Sequence, residues 1–483
     1  MDASLRRTFA IYIFAFAVFF ASRPISDGDF WFHLKTGEYI TQTGVIPKTD
    51  PFSSSHRGAP WIAHGWLSGL IFYVVYSKLG FNALIFIFAL LAALAFWIVF
   101  KRCRSHFYIS GFATLLGVWT VLPTIGVRPR VFSLLLASVY LAVLTRYARG
   151  REGARVWWLV PLMVLWVNLH GGFFIGLGLI GLVILGIPLD ALASGEKLRP
   201  LWPRLRTLGF LFIACALAGL LNPYGLGMYA EALSIMRSPV YQEVVVDWLS
   251  PDFHQTDLLP LLLLMLLTIA AMALSPRRVR PSELLLFIAT LYSTLKTQRN
   301  LAIFALVAVP IFAKYFQNWL ESSPFRRPFM RTDPRAASWK TTTFSLALLL
   351  GLLPFAAKLR ATVYAEPTQE KMTVPVKAVA YLKEKGITGT TFTNPNIWGG
   401  YLIWASPANP VYIDGRGLFR EEFVKEYVKI ITGTADWRGP FERYNVAIVL
   451  IKPQSLLARQ LAQSADWEEI YADEMSVVFR RRI

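Results

Sequence analysis

Two aspartates stand two residues apart immediately after the first apolar segment of the chain, Asp27 and Asp29 in Ser-Asp-Gly-Asp-Phe-Trp. A carboxylate at the edge of a bilayer can act as a general base toward a hydroxyl or an amine, and a pair can help hold a divalent cation such as Mg²⁺ or Mn²⁺. A structural interpretation competes, because Asp is a preferred N-cap residue and a helix is predicted to start near Phe30. The pair alone leaves both interpretations open and leaves metal dependence undetermined.

Four cations follow later apolar segments. They are Arg128, Arg130, Lys296 and Arg299. Arginine binds phosphate through its fork of N–H donors, so these residues, together with His170, are predicted to contact the phosphate of a donor substrate. The alternative is that the cations contact lipid headgroups or pair with acidic neighbours such as Asp247 and Asp252.

A third group of polar residues is predicted to contact an acceptor or to support the site. Its members are His33, His64, Asn168, Asn222, Tyr224, Asp247 and His254. His33 lies four residues after Asp29, a spacing that turns both side chains to one side of a helix. An interfacial histidine with a polar tip explains His33 equally well, and Asn222-Pro-Tyr224-Gly is also typical of a helix end followed by a turn.

The elements that must position these residues are hydrophobic helices. The chain has 483 residues, 55% of them hydrophobic, and a mean hydropathy of +0.46, which excludes an ordinary soluble enzyme. Eleven apolar runs, give or take two, are predicted to span the bilayer, although several are shorter than the roughly 20 residues that a helical span needs. The runs are 8–21, 81–100, 111–123, 131–144, 156–167, 173–189, 208–221, 258–274, 284–295, 301–316 and 342–357.

Charge in the loops predicts the orientation of these spans. With the amino terminus in the cytoplasm, cytoplasmic loops hold roughly twice as many Lys and Arg residues as outer loops, as the positive-inside rule requires. This alternation requires 66–79 to be an interfacial helix, anchored by Trp61 and Trp66, rather than a span. The basic residues form loop clusters beside apolar segments, so no nucleic-acid partner is expected. The prediction is a multi-pass protein of the bacterial cytoplasmic (inner) membrane.

Two further features of the amino-terminal half limit the interpretation. The first 22 residues resemble a secretory signal, with Arg6-Arg7, an apolar core and the small residues Ala21-Ser22, but an uncleaved first span is favoured. Cys103 and Cys215 are far apart and give neither a disulfide framework nor a metal-binding spacing.

The patterning changes to α/β near Arg360. Helices are predicted at 376–385, 421–431 and 455–465, and strands at 390–393, 411–413, 446–451, 467–471 and 476–480. An odd number of spans places this region outside the cytoplasm. The predicted domains are therefore a transmembrane domain over 1–359, whose first outer loop covers 23–80, and an extracytoplasmic α/β domain over 360–483. Asp414 and Arg416 are predicted to form an internal salt bridge at a strand end.

The layout resembles the GT-C class of membrane glycosyltransferases, and the likeness covers the whole membrane part. A short first span precedes a long outer loop with an acidic residue at its start, and an interfacial helix then leads directly into the second span. Four segments are also similar to uncharacterised bacterial proteins grouped with that class. They are Asp-Gly-Asp-Phe-Trp-Phe-His-Leu-Lys-Thr-Gly, Asp-Pro-Phe-Ser, Trp398-Gly-Gly-Tyr-Leu and Asp414-Gly-Arg416.

The resemblance implies a polyprenyl-phosphate sugar donor, a glycan, lipid or protein acceptor on the outer face, contact with membrane lipids, and a first-loop acid, Asp29 or Asp27, as base. The chain departs from better-known members, since it lacks paired prolines near 61–66 and has Asp-Gly-Asp in place of Asp-Glu. These differences leave the donor and the metal requirement undetermined.

The predicted activity is an inverting sugar transfer. Asp29 serves as the base, Asp27 orients it or binds a cation, and Arg128, Arg130 and Arg299 neutralise the leaving phosphate. Two other functions remain open: a transporter or flippase for a lipid-linked or anionic substrate, and a non-catalytic scaffold for envelope assembly. A transporter is expected to carry polar residues within its spans and an internal repeat, and neither is evident in the sequence.

Overall fold

The computed structural model describes residues 3–151, 154–239, 246–324 and 374–482. The chain forms two compact units. Unit 1 comprises Met1–Arg23, Ile85–Asn222 and Val245–Ala365, and unit 2 comprises Pro24–Leu84, Pro223–Val244 and Glu366–Ile483. The predicted boundary at 359/360 and the predicted span 342–357 lie outside the described residues. Within them, the first outer loop is grouped with the carboxy-terminal region.

Helices account for most of the chain before residue 324. They are α1 (Ala3–Ala21), α2 (Asp29–Thr43), α3 (Trp66–Arg102), α4 (Phe107–Val121), α5 (Arg130–Ala148), α6 (Leu159–Leu169), α7 (Phe174–Ser194), α8 (Trp202–Ala218), α9 (Gly227–Arg237), α10 (Leu259–Leu274), α11 (Pro281–Lys296) and α12 (Leu301–Ser322). Each predicted apolar run up to residue 316 overlaps one of these helices, as expected for segments that must satisfy their backbone groups internally in lipid.

Seven helical segments in the described residues are long and apolar enough to cross a membrane. They are Trp66–Arg102, Phe107–Thr124, Arg130–Ala148, Gly171–Ser194, Arg199–Ala218, Thr256–Leu274 and Gln298–Ser322. Ala10–Ala21 and Arg155–Leu169 are shorter apolar helices. This number is smaller than the eleven predicted spans for two reasons. The predicted run 342–357 lies outside the described residues, and other runs lie on helices too short for the length requirement, such as the 16 residues of α11.

Helix α3 is interrupted at Gly80, where φ is 77° and ψ is −178°. A residue with a side chain rarely adopts this conformation, whereas glycine does so at little cost. The break falls between the predicted interfacial helix 66–79 and the predicted span 81–100. The two segments are therefore separate helices joined at a glycine, and the interfacial position of the first stays a prediction.

The carboxy-terminal part of unit 2 is a small α/β fold. A four-stranded sheet has the order β1-β2-β4-β3, with β1 parallel to β2 and the other neighbours antiparallel. The strands are β1 (Thr390–Asn394), β2 (Val446–Ile451), β3 (Trp467–Ala472) and β4 (Val477–Arg481). The helices are α13 (Val376–Glu384), α14 (Ile397–Ala405), α15 (Glu421–Ile431), α16 (Arg438–Arg443) and α17 (Leu456–Ala462). An aromatic core that includes Phe392, Tyr412 and Phe441 fills the space between them.

Most of the elements predicted for this region are confirmed, and two differences stand out. The predicted strand 411–413 is wrong: its pairing is limited to isolated bridges from Val411 to Thr391 and to Ser53. Helix α14 was not predicted, because the Trp-Gly-Gly-Tyr run has low helix propensity. Tertiary packing overrides that propensity.

The loop 23–80, predicted to lie outside the cytoplasm, pairs with the carboxy-terminal part of unit 2 through hydrogen bonds to backbone carbonyls. The Ser54 N–H and hydroxyl donate to the Val411 carbonyl at 2.8 and 3.0 Å, and the Ser55 hydroxyl donates to the Tyr412 carbonyl at 2.6 Å. Residues more than 350 positions apart thus form one folded unit, and it contains both aspartates of the acidic motif.

Candidate functional site

The two aspartates have different roles at the start of α2. Asp29 is the first residue of the helix, and the Asp27 carboxylate accepts a hydrogen bond from its backbone N–H at 3.2 Å. The Phe30 N–H donates to the Asp27 carbonyl at 3.3 Å. Asp27 therefore satisfies backbone donors at the helix start, although Gly28 occupies the N-cap position itself. Asp27 thus supports the helix start without being its N-cap, and Asp29 is the stronger candidate for chemistry.

Glycines allow the carboxy-terminal region to approach this motif closely. A Cβ on Gly415 would collide with Asp29 Oδ1 and would lie 3.3 Å from Asp29 Cγ. A Cβ on Gly400 would lie 2.8 Å from the Gly28 carbonyl oxygen, and one on Gly28 would overlap Ile397. The Asp29 side chain therefore lies against the backbone of the segment 414–416, which the sequence did not link to it.

Arg416 anchors this segment in a buried ionic network. Its guanidinium contacts Asp50 at 2.6 Å and Asp414 at 2.7 Å, and the three side chains are at most 1% exposed. The guanidinium also lies 5.2 Å from the Phe52 ring centroid and 4.7 Å from that of Trp61. Burial disfavours both charges, but the guanidinium holds the pKa of Asp50 below its ordinary value and the two carboxylates raise the pKa of Arg416. The predicted Asp414–Arg416 bridge is confirmed, and Asp50 is an addition that the sequence did not reveal.

His33 is buried between α2 and the first segment of α3. Its ring lies 4.3 Å from that of Phe32 and 6.1 Å from that of Phe72, measured between centroids. A Cβ on Gly65 would lie 2.8 Å from its Cε1 atom. Burial, and then the nearby His64, lower the pKa of His33 to about 3. His33 is therefore neutral at neutral pH, as expected of a packed ring rather than a cationic phosphate ligand.

Tyr224 lies in unit 2 and contacts the first outer loop. Its hydroxyl donates to the Pro47 carbonyl at 2.9 Å, and burial raises its pKa to about 12 although a hydrogen bond with the Ala63 backbone opposes the shift. The phenol thus stays protonated at neutral pH. Its contacts assign it a role in holding the segment 223–239 against the loop.

In unit 1, three of the predicted phosphate-binding residues converge on Asp247. Arg130 forms an ion pair with its carboxylate, and Arg128 and Arg299 act on the same charge. Burial tends to raise the pKa of Asp247, but these guanidinium groups, Arg130 first, hold it below its ordinary value. The Arg299 guanidinium lies 5.0 Å from the ring centroid of Trp248.

The guanidinium of Arg130 carries a donor that is suited to an anion. Within the described residues, Arg130 Nη1 is buried and has no hydrogen-bond partner. A buried unsatisfied donor is costly, so this nitrogen fits a site that receives an anion. Lys296 lies at the exposed end of α11. The alternative of pairing with acidic neighbours holds for Arg130 and Asp247, whereas Asp252 pairs with His254 at 2.9 Å.

His170 belongs to a buried polar chain in unit 1. Its Nδ1 atom accepts from the Gly172 N–H at 3.1 Å and lies 2.7 Å from the Ser133 hydroxyl, which accepts from the Trp166 indole N–H at 2.6 Å. Because Nδ1 is an acceptor, a neutral ring carries its proton on Nε2. Ser133 follows Arg130 by three residues on α5, so the two share a helix face.

The remaining predicted residues make local structural contacts. The Asn168 side-chain amide donates to the Val164 and Leu221 carbonyls at 2.8 and 2.9 Å, and that of Asn222 donates to the Gly219 carbonyl at 2.8 Å. The Asn222 contact fits the predicted helix end and turn. The His254 side chain is fully exposed.

The acidic motif offers an incomplete set of ligands for a metal ion. Among the described residues, no three His, Cys, Asp or Glu side chains are grouped closely enough to hold one. One carboxylate oxygen of Asp27 already accepts the Asp29 N–H. The predicted divalent cation therefore lacks a third side-chain ligand of these types in this part of the chain, and no chemical step is assigned to it.

No protein-family model matches the chain, and no curated protein matches it in sequence. Solved structures do match. The oligosaccharyltransferase of Archaeoglobus fulgidus in its apo form superposes with a TM-score of 0.57 at 13% identity, over 93% of this chain and 70% of that one. The same enzyme tethered to an acceptor peptide with the NVT sequon gives 0.56 at 14% identity, with the same coverage. The arabinofuranosyltransferase AftD from mycobacteria gives 0.51 at 14% identity, over 99% of this chain and 42% of that one.

The chain has a GT-C-like membrane fold. The predicted fold class is thereby confirmed: a polytopic helical membrane protein with a carboxy-terminal α/β region. At these identities the similarity concerns the fold, and the chemistry rests on this chain's own residues.

Proposed function

We propose that this protein is a glycosyltransferase that moves a sugar from a polyprenyl-phosphate carrier to an acceptor on the outer face of the cytoplasmic membrane. The observation that carries the proposal is the position of Asp29, the first residue of α2 in the first outer loop of a GT-C-like fold. Two proteins that share this fold are, by name, an oligosaccharyltransferase and an arabinofuranosyltransferase.

Asp29 acts as the general base. As the acceptor hydroxyl or amine attacks the anomeric carbon, its proton passes to the Asp29 carboxylate and the bond between that carbon and the phosphate oxygen breaks. Attack from the face opposite the phosphate inverts the anomeric centre. Asp27 orients Asp29 through the hydrogen bond to its backbone N–H.

The arginine cluster stabilises the leaving phosphate. The charges of Arg128, Arg130 and Arg299 all act on the Asp247 carboxylate, so the three guanidinium groups belong to one electrostatic cluster. Charge develops on the phosphate oxygens as the glycosidic bond breaks, and preformed donors that match this charge lower the barrier. The buried Nη1 of Arg130 is the donor best prepared to donate a hydrogen bond to such an oxygen. His170, through Nε2–H, and Lys296 complete the proposed phosphate contacts.

The test measures release of polyprenyl phosphate from radiolabelled polyprenyl-phosphate sugars, using a panel of hexoses and pentoses and membranes that contain the native acceptors. We expect Asp29→Asn to lower turnover by about 10²- to 10⁴-fold, the range for loss of a general base. Asp27→Asn keeps an acceptor oxygen for the Asp29 N–H and is expected to have a smaller effect. Full activity of Asp29→Asn at normal expression would show that Asp29 is not the base. Activity in EDTA, with and without added Mg²⁺ or Mn²⁺, reports on metal dependence.

A further inference from the structure

The segment Asp414-Gly415-Arg416 lies directly against the acidic side chain to which the proposed function assigns proton transfer. A Cβ on Gly415 would overlap Asp29 Oδ1 and approach the Phe32 ring to 3.8 Å. The backbone at Gly415 does not adopt the left-handed conformation that favours glycine. Space for the Asp29 carboxylate, rather than backbone conformation, therefore explains the glycine at this position.

The residues on either side of Gly415 are fixed with little freedom. The Asp414 carboxylate accepts from the Arg416 backbone N–H and from Nε, each at 2.8 Å, and from Nη2 at 2.7 Å. A fork of parallel donors to one carboxylate defines distance and orientation together. The segment is therefore a rigid turn, with Gly415 at its centre.

Asp50 joins this turn to the first outer loop. Its carboxylate accepts from Arg416 Nη1 at 2.6 Å and from the Phe52 N–H at 2.9 Å. Both ends of the link thus belong to rigid local structures: the Asp50-Pro-Phe-Ser turn on one side and the segment 414–416 on the other. The ionic network of Asp50, Arg416 and Asp414 therefore fixes the position of Gly415 relative to the loop that carries Asp29.

We propose that the segment 414–416 positions the catalytic base, with Gly415 providing the surface against which the Asp29 carboxylate rests and Arg416 as the positioning residue that fixes Gly415. This inference rests on the proposed function for the role of Asp29, but the contact itself does not depend on it. The acidic motif and the carboxy-terminal region then form a single catalytic element within unit 2.

Adding a methyl group at Gly415 tests directly whether the Asp29 carboxylate rests against this residue. Gly415→Ala forces the Asp29 carboxylate to move, and displacement of a reacting group by about 1 Å can lower turnover by about 10²-fold. We expect kcat for release of polyprenyl phosphate to fall at least about ten-fold, while the donor KM changes less than about two-fold, because the methyl group meets the base. Gly439→Ala is the matched control: Gly439 lies in the same region, is exposed, and has open space where its Cβ would be.

Thermal stability of the full-length protein in detergent provides a readout independent of activity. If the methyl group of Gly415→Ala clashes with Asp29, its destabilising effect should largely disappear in the Asp29→Ala background, a coupling that a double-mutant cycle measures. Equal activity and stability of Gly415→Ala and Gly439→Ala would overturn the inference. So would a loss of stability, or of expression, that is the same in the Asp29→Ala background. If the coupling is present but Asp29→Asn is fully active, the contact stands and the proposed function fails.

Discussion

Removing Arg416 should destabilise unit 2 more than almost any other single substitution in it. Arg416→Met keeps most of the side-chain volume but leaves Asp50 and Asp414 facing each other, with side chains that are at most 1% exposed. Removing one partner of a buried ion pair costs about 3–5 kcal/mol, because the remaining charge stays desolvated and unpaired. Here two carboxylates lose the same partner, so a value in the upper half of that range is expected.

The pH dependence of the loss follows from the sign of the Asp50 shift. Arg416 holds the pKa of Asp50 below its ordinary value in the folded protein, although burial alone would raise it. The stabilisation from Asp50 is therefore fully present above its unfolded pKa, near about 3.9, and is lost as the pH falls through the lower folded value. In Arg416→Met the hydrogen bonds from Ser53 and the Phe52 N–H still favour the Asp50 carboxylate, but no cation opposes its burial and its repulsion from Asp414. The variant should therefore gain stability as the pH falls toward 4. The difference from the parent protein should then shrink.

The assay is urea-induced unfolding of the full-length protein in detergent, followed by tryptophan fluorescence and pulse proteolysis at pH 7 and pH 4.5. Arg438→Met is the control, since Arg438 also stacks on a tryptophan and pairs with a carboxylate at 3.2 Å, but its side chain is 60% exposed. That exposed pair should be worth at most about 1 kcal/mol. If Arg416→Met costs no more than Arg438→Met, or if its cost is the same at both pH values, the network does not anchor the segment 414–416.

Two other predictions concern the polar groups of the candidate site. Arg130→Gln should lower kcat/KM for the polyprenyl-phosphate sugar by about 10- to 100-fold, because a charge-assisted contact to phosphate is lost. The control is Arg278→Gln, at an exposed arginine of unit 1. Equal kinetics of the two variants would show that Arg130 does not belong to the phosphate site. His33, with a pKa lowered to about 3, stays neutral from pH 5 to 8, so His33→Gln should leave the shape of the pH–rate profile unchanged over that range. A limb of the profile near pH 6.5 that disappears in His33→Gln would show that the ring titrates during turnover.

Local features of the structure were largely predictable from the sequence. Apolar runs predicted most of the helices before residue 324, and alternation predicted the four strands of the sheet. The motif beginning at Asp27 predicted a helix that starts within a residue of the expected position. These helices and strands are determined largely by residues close to one another in the sequence, so the spacing of their apolar residues predicts them. The segment 411–413 is an exception. It is apolar enough for a strand but follows a proline, and within the described residues its β-bridges are confined to Val411.

Contacts between distant segments could not be read in the same way. Arg416 and Asp50 are 366 positions apart, and nothing in either local sequence indicates the partner. The sequence did predict the bridge to Asp414, since a pair two residues apart is a local feature. The cluster of Arg128, Arg130 and Arg299 around the charge of Asp247 was only partly predictable. The residue types indicated an anion site, but only the fold brings these charges together.

The glycines of three sequence motifs mark close contacts between segments, which the amino-acid composition does not show. In the Asp27-Gly-Asp29 motif, in Trp398-Gly-Gly-Tyr and in Asp414-Gly-Arg416, glycines occupy places where a Cβ would strike the other segments of unit 2. Each was recognisable as part of a motif, but no single motif shows what the missing side chain makes room for. Only together do they indicate that the carboxy-terminal region packs on the acidic motif, with one glycine facing Asp29 itself. The Gly415 backbone either holds the Asp29 carboxylate in place or merely lies beside it. The single methyl group added by Gly415→Ala distinguishes these two cases.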